Sequence, residues 1–177
     1  MSLRHGLLGL LAEGPASGYD LARRFSEVLS PIWPAQHPKI YAELNRMATD
    51  GLIAVDSRGP RGRKAYRITE AGLAEIRHWL TDVDVDRTVR LEPLLRSLFF
   101  WLMDPDDLPG HLRQEADYYA ERAAFYREYA RRKDAGEFGS SPQVQSMRIT
   151  IEGAVRLYEA LAGWARWAET HKPTDQQ

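Results

Sequence analysis

Residues 39–51 read Lys39-Ile40-Tyr41-Ala42-Glu43-Leu44-Asn45-Arg46-Met47-Ala48-Thr49-Asp50-Gly51, and residues 58–64 read Arg58-Gly59-Pro60-Arg61-Gly62-Arg63-Lys64. Ile40, Leu44 and Met47 recur at i, i+4 and i+7, which sets them on one side of a helix. Lys39, Tyr41, Asn45 and Arg46 fall away from that stripe. Asp50-Gly51 stops the helix. Residues 52–56 and 64–68 have strand character and flank the basic tip, so they predict a hairpin. Thr69 is placed to cap a further helix carrying Leu73, Ile76 and Leu80.

Upstream, residues 3–12 form a short apolar helix with Leu3, Leu7, Leu10 and Leu11 on one side, ended by Gly14-Pro15. Ser17 starts a second helix, with Asp20 three residues on in a capping pattern. Leu21, Phe25, Val28 and Leu29 face its core. Pro38 fits the first turn of the third helix, with His37 just outside. The order is therefore helix, helix, helix, hairpin, helix. A helix followed by a cationic hairpin is the arrangement with which a winged helix-turn-helix grips duplex DNA.

Beyond the acidic joint at residues 82–86 the pattern changes. Residues 91–103 are mostly apolar. A long helix is predicted over 106–133, with Leu108, Leu112, Tyr119, Ala123, Tyr126 and Ala130 on one stripe. Residues 136–142 form a turn. In the last helix, over 143–169, Val144, Met147, Ile151, Ala154, Tyr158, Leu161, Ala165 and Ala168 alternate spacings of three and four, a coiled-coil-like seam. A second apolar face carries Leu157, Trp164 and Trp167. Such a helix needs two covers. The preceding helix supplies one, and a second copy of the chain is the natural source of the other. The expected fold is mainly α with a small β-hairpin. Residues 1–82 are the winged helix, and 83–177 a helical dimerisation domain.

The net charge of −1 over 177 residues is uninformative, but its distribution is not. Residues 1–80 carry 11 Lys/Arg against 8 Asp/Glu, and five of the cations (Arg58, Arg61, Arg63, Lys64 and Arg67) sit around one hairpin. A local cluster is what counts for phosphate, because salt confines its field to about 10 Å. The chain has no cysteine, which excludes disulfides and thiolate metal sites. The five histidines have no metal-ligand spacing, and there is no Gly-rich phosphate loop or nucleophile elbow. No metal, no cofactor and no enzymatic activity are expected. No secretory or membrane-spanning pattern occurs, so a cytoplasmic location is expected. A winged helix used only for protein interaction is the alternative, although it has no need of five cations on one turn.

The chain resembles the PadR family of bacterial transcriptional regulators. The matching pieces are Leu7-Leu8-Gly9-Leu10-Leu11, then Gly14 to Leu21, then Ile40-Tyr41-x-Glu43-Leu44-x-Arg46-Met47, then Asp50-Gly51-Leu52-Ile53, then Gly62-Arg63-Lys64-x-Tyr66-x-Ile68-Thr69-x-x-Gly72. The remainder looks like the helical C-terminal region of the larger subgroup. His37-Pro38-Lys39 departs from the small or amide residues usual at the start of the recognition helix, and Met47 stands where Leu is commoner. The resemblance implies a dimeric repressor of promoter DNA, released by a small molecule. Lys39, Tyr41, Asn45, Arg46, Arg58, Arg61, Arg63 and Lys64 are then the candidate DNA-binding residues. Val144, Met147, Ile151, Tyr158 and Leu161 are the candidate dimer interface. Trp101, Trp164 and Trp167 are candidates for stacking on a small aromatic effector, although helix packing explains them equally well.

Overall fold

Helix α1 (Ser2–Ala12) is followed by the two-residue strand β1 (Ala16–Ser17). The structure is a computed structural model that describes residues 2–29, 33, 35–58, 64–88 and 90–171. It divides into two units, Met1–Arg87 and Thr88–Gln177. In the first, α2 (Gly18–Arg24) starts where the Ser17 hydroxyl accepts from the Asp20 N–H at 3.2 Å. The helix then loosens into a π-helical turn, Phe25–Leu29. Helix α3 (His37–Thr49) takes in His37, one residue earlier than expected, with Pro38 in its first turn where a missing N–H costs nothing. It ends at Gly51, whose φ of 75° lies in the left-handed region open to glycine.

Strands β2 (Ile53–Arg58) and β3 (Lys64–Ile68) form the predicted hairpin. The sheet order is β1-β3-β2, all antiparallel. The third strand was not expected, and it pairs Ala16 with Tyr66. Register slips between Val55 and Ser57, so Asp56 is an extra, bulged residue. Helix α4 (Glu70–Thr81) is capped by Thr69, whose hydroxyl accepts from the Gly72 N–H at 3.1 Å.

One core holds this unit together. Leu7, Leu8 and Leu11 of α1 meet Leu21 and Phe25, then Ile40, Leu44 and Met47 of α3, then Ile53 and Tyr66 of the sheet. The α3 stripe is the expected one. Each such aliphatic side chain, fully buried, contributes about 1.5–3 kcal/mol.

In the second unit the apolar run of residues 91–103 is not one helix. It breaks into α5 (Glu92–Ser97) and a 3-10 turn, Phe100–Leu102. Helices α6 (Leu108–Asp134) and α7 (Pro142–Thr170) pack along each other. They are antiparallel, because Arg113 pairs with Glu169, Arg127 with Glu159 and Arg148 with Asp134. These pairs are largely exposed and add little to stability.

The seam on α7 runs against α6. Ile151 and Leu161 are buried within the single chain, and the Tyr158 ring stacks 5.6 Å from Tyr126 and 6.3 Å from Tyr119. Val144 and Met147 are half-buried. Of the residues expected to meet a second copy, Ile151 and Leu161 are therefore buried within the chain and Tyr158 stacks on α6, while Val144 and Met147 stay partly open. The large exposed apolar side chains of α7 are Ile149, Leu157 and Trp167, none of them in the seam.

Candidate nucleic-acid interface

The burial of Ile40, Leu44 and Met47 turns the other side of α3 to solvent. Lys39, Tyr41, Asn45 and Arg46 are all exposed there. The structure thus brings four of the candidate residues onto one continuous helix surface. Tyr41 and Asn45 are one turn apart, and Lys39 and Arg46 lie two turns apart along its other edge.

Two neighbours absent from the candidate set fix this surface. The first is Arg4 of α1. Its Nε donates to Glu43 at 2.7 Å and its Nη2 to Asp50 at 2.8 Å, tying the middle and the end of α3 to α1. The Glu43 hydrogen bond and the two carboxylate charges raise the Arg4 pKa above its ordinary value. Glu43, little exposed, also lies 3.4 Å from the Arg46 Nε. Its charge is thus balanced inside the unit, and the outer face of α3 keeps a cationic character. The second neighbour is Gly18. A Cβ there would lie 2.9 Å from the Tyr41 Cε1. Only a glycine lets the Tyr41 ring lie against the start of α2. Tyr19, 60% exposed, follows directly.

The wing is described up to its base. β2 ends at Arg58 and β3 starts at Lys64, which is exposed. Arg61 and Arg63, with residues 59, 60 and 62 and the side chain of Arg58, lie outside the described residues. Arg67 is exposed and 4.0 Å from Asp56.

The second unit carries a cleft of about 380 Å³ between α5, the 3-10 turn and the α6–α7 pair. Of the three candidate effector residues, Trp164 lines it. Trp101 and Trp167 are exposed, and neither lines this cleft. His111, Glu115, Tyr118 and Tyr119 line it from one face of α6. Burial pushes the Tyr119 phenol well above its ordinary range, and the nearby Glu115 carboxylate adds to this. Among the described residues no group of three or more His, Cys, Asp or Glu is placed to hold a metal ion.

A helix presented over a three-helix core, with an antiparallel hairpin beside it, is a winged helix-turn-helix, the fold of a large class of transcription factors. Comparison with known proteins makes this particular. Residues 7–78 match the Transcriptional regulator PadR-like family, and residues 89–171 match the family described as Virulence activator alpha C-term. Residues 7–78 are thus a PadR-like family domain, followed by a second domain of the Virulence activator alpha C-term type. The chain is 35% identical over 101 residues to the Negative transcriptional regulator PadR of Bacillus subtilis, a match covering 55% of this chain and 56% of that protein. The match therefore spans little more than half the length of that relative.

Solved structures extend the likeness of fold over nearly the whole chain. Bacillus subtilis PadR in complex with operator DNA superposes with a TM-score of 0.83 at 22% identity, over 97% of this chain and 98% of that one. The same regulator in complex with p-coumaric acid gives 0.81 at 24% identity over the same shares. The Vibrio cholerae virulence activator AphA gives 0.75 at 24% identity, over 96% of each.

Proposed function

We infer that the chain is a DNA-binding transcriptional repressor that works as a homodimer in the cytoplasm, is not an enzyme, and is released from its operator by a small aromatic molecule. The observation that carries this is the outer face of α3. It holds Lys39, Tyr41, Asn45 and Arg46 exposed beside a hairpin whose tip is basic. In this reading α3 enters the major groove. Asn45 reads a base edge, Lys39 and Arg46 reach guanine edges or phosphates, and Tyr41 donates to a phosphate. Arg58, Arg61, Arg63 and Lys64 track the backbone or the flanking minor groove. Residues 1–82 form the DNA-binding part and residues 83–177 the dimerisation and effector part. The operator-DNA and p-coumaric acid complexes of the Bacillus regulator support both halves of the reading by analogy of fold.

The dimer surface follows from what is left uncovered. Leu95, Leu98, Trp101 and Leu102 around α5, with Ile149 and Leu157 of α7, are large apolar side chains exposed in the single chain. A monomer rarely leaves so many open, so a second copy covers them. Val144 and Met147, half-buried at the start of α7, lie at the edge of such an interface. Ile151, Tyr158 and Leu161 support it from behind, through α6 packing.

The test is the combined substitution of Arg61, Arg63 and Lys64 by Ala, after selection of bound duplexes from a random pool. The salt slope of binding should fall by about one unit per cation removed, with the dimer intact by gel filtration. Unchanged affinity removes the wing from the site. A wild-type chain that passes a DNA column at low salt favours the protein-interaction reading instead.

Gly18→Ala tests the support of Tyr41. The added methyl displaces the ring, so DNA affinity should fall about fivefold, as for Tyr41→Ala, the loss of one hydrogen bond of about 1 kcal/mol. In the Tyr41→Ala background Gly18→Ala should cost nothing further. Additive losses in duplex titrations would mean that Gly18 acts some other way.

A further inference from the structure

The cleft of the second unit selects by charge. We propose that it binds a planar aromatic cation. The proposal rests on the effector reading above and names the chemical class of the effector. The cleft volume of about 380 Å³ suits a ligand of two fused rings, since small-molecule sites run from roughly 300 to 1,000 Å³. Phe100, Tyr118, Tyr119 and Trp164 supply aromatic walls. Ring faces are electronegative and attract cations.

The ionisable groups decide the sign. Among the described lining residues Arg96 is the one Lys or Arg, and it is paired: its Nε and Nη2 lie 2.9 and 2.6 Å from the same Glu92 Oε1. That pair is neutral as a unit. His111 packs edge-on against Phe100, ring centroids 5.7 Å apart. Glu115 remains, half-buried, one turn along α6 from His111. Two carboxylates, Glu92 and Glu115, stand against one guanidinium in the lining. The lining thus holds a net negative charge beside π faces. An aromatic acid would bring a third anion to a lining that holds one guanidinium, already paired with Glu92. A planar cation meets the carboxylate and the rings together.

The experiment is calorimetric titration of the full chain with three molecules of one shape: 1-methylquinolinium, neutral 1-methylnaphthalene and anionic 1-naphthoate. The cation should bind at least tenfold more tightly than the anion. Glu115→Gln should lower cation affinity about tenfold, the loss of one ion–ion attraction at a half-buried site, and leave the neutral compound unchanged. Trp164→Phe should weaken the cation and quench less of the tryptophan emission on titration. Equal or tighter binding of naphthoate, no measurable binding of the quinolinium, or an unchanged preference in Glu115→Gln overturns the proposal. The effector reading is separated by a second measurement, duplex DNA affinity at saturating ligand. A cation that binds as expected and leaves DNA affinity unchanged supports the site and overturns the reading of it as an effector site. Release of DNA by naphthoate alone keeps the effector reading and overturns the charge class.

Discussion

Replacing Gly72 by Ala should destabilise the winged helix by about 3 kcal/mol, the upper end of what steric overpacking usually costs. In an exposed helix the same change would gain up to about 1 kcal/mol of propensity. Here the first turn of α4 lies on the chain just before β2. A Cβ on Gly72 would stand 2.2 Å from the Leu52 carbonyl oxygen and 2.8 Å from the Ile68 Cγ1. That oxygen is not free to move. It accepts from the Thr69 N–H at 3.1 Å and lies 2.9 Å from the Thr69 hydroxyl, which in turn caps α4 through the Gly72 N–H. Relieving the clash means breaking the cap, the junction of α3 with the sheet, or both. Gly9→Ala is the control. Its Cβ would sit 3.6 Å from the Ile76 Cδ1, an ordinary contact. That variant should be neutral or slightly stabilised. Urea unfolding midpoints decide the matter, and a Gly72→Ala protein as stable as the parent would mean that α4 is not docked this way.

What the sequence revealed depended on the range of the interaction that mattered. The spacing of Ile40, Leu44 and Met47, the stop at Asp50-Gly51 and the Thr69 cap are local signals, and each stands as read. The two residues of β1 carry no periodicity, and the strand exists only because β3 offers Tyr66 and Ala65 as partners about fifty residues away in sequence. Arg4 lies 39 and 46 residues from the two carboxylates it holds, so nothing near α3 announces it. Gly18 and Tyr41 meet for the same reason, through the packing of α2 on α3. The α7 seam shows a different limit. Its spacing of three and four establishes that one face is covered, yet it is blind to the identity of the cover, and α6 of the same chain satisfies it. The tryptophans divide on the same ground. Only the tertiary position of Trp164 puts it in a cleft, and Trp101 and Trp167 remain exposed.

Phe25→Ala should cost about 3–5 kcal/mol, the range for removing a buried aromatic ring. The side chain is 1% exposed and stands where α2 passes into its π-helical turn. Across from it is Gly6 of α1, whose missing Cβ would lie 3.1 Å from the Phe25 Cε2 and 3.1 Å from the Leu29 Cδ1. The ring therefore fills space that α1 leaves empty, and α1 has no side chain at that point with which to close the void. A second substitution turns this into a signed test. Gly6→Ala in the parent crowds two side chains by a few tenths of an ångström, which offsets its helix-propensity gain of about 1 kcal/mol. In the Phe25→Ala background only the Leu29 contact is left, and that side chain can move into the vacated space, so the same methyl should recover about 1 kcal/mol and fill part of the cavity. The two changes should thus be strongly non-additive in denaturant titrations. The consequence reaches the proposed DNA surface as well. Phe25 seats the end of α2 whose beginning, Gly18, supports Tyr41, so duplex affinity should fall with Phe25→Ala and return in part with the Gly6→Ala repair. Additive stabilities, or an affinity indifferent to both changes, would show that α2 is anchored elsewhere.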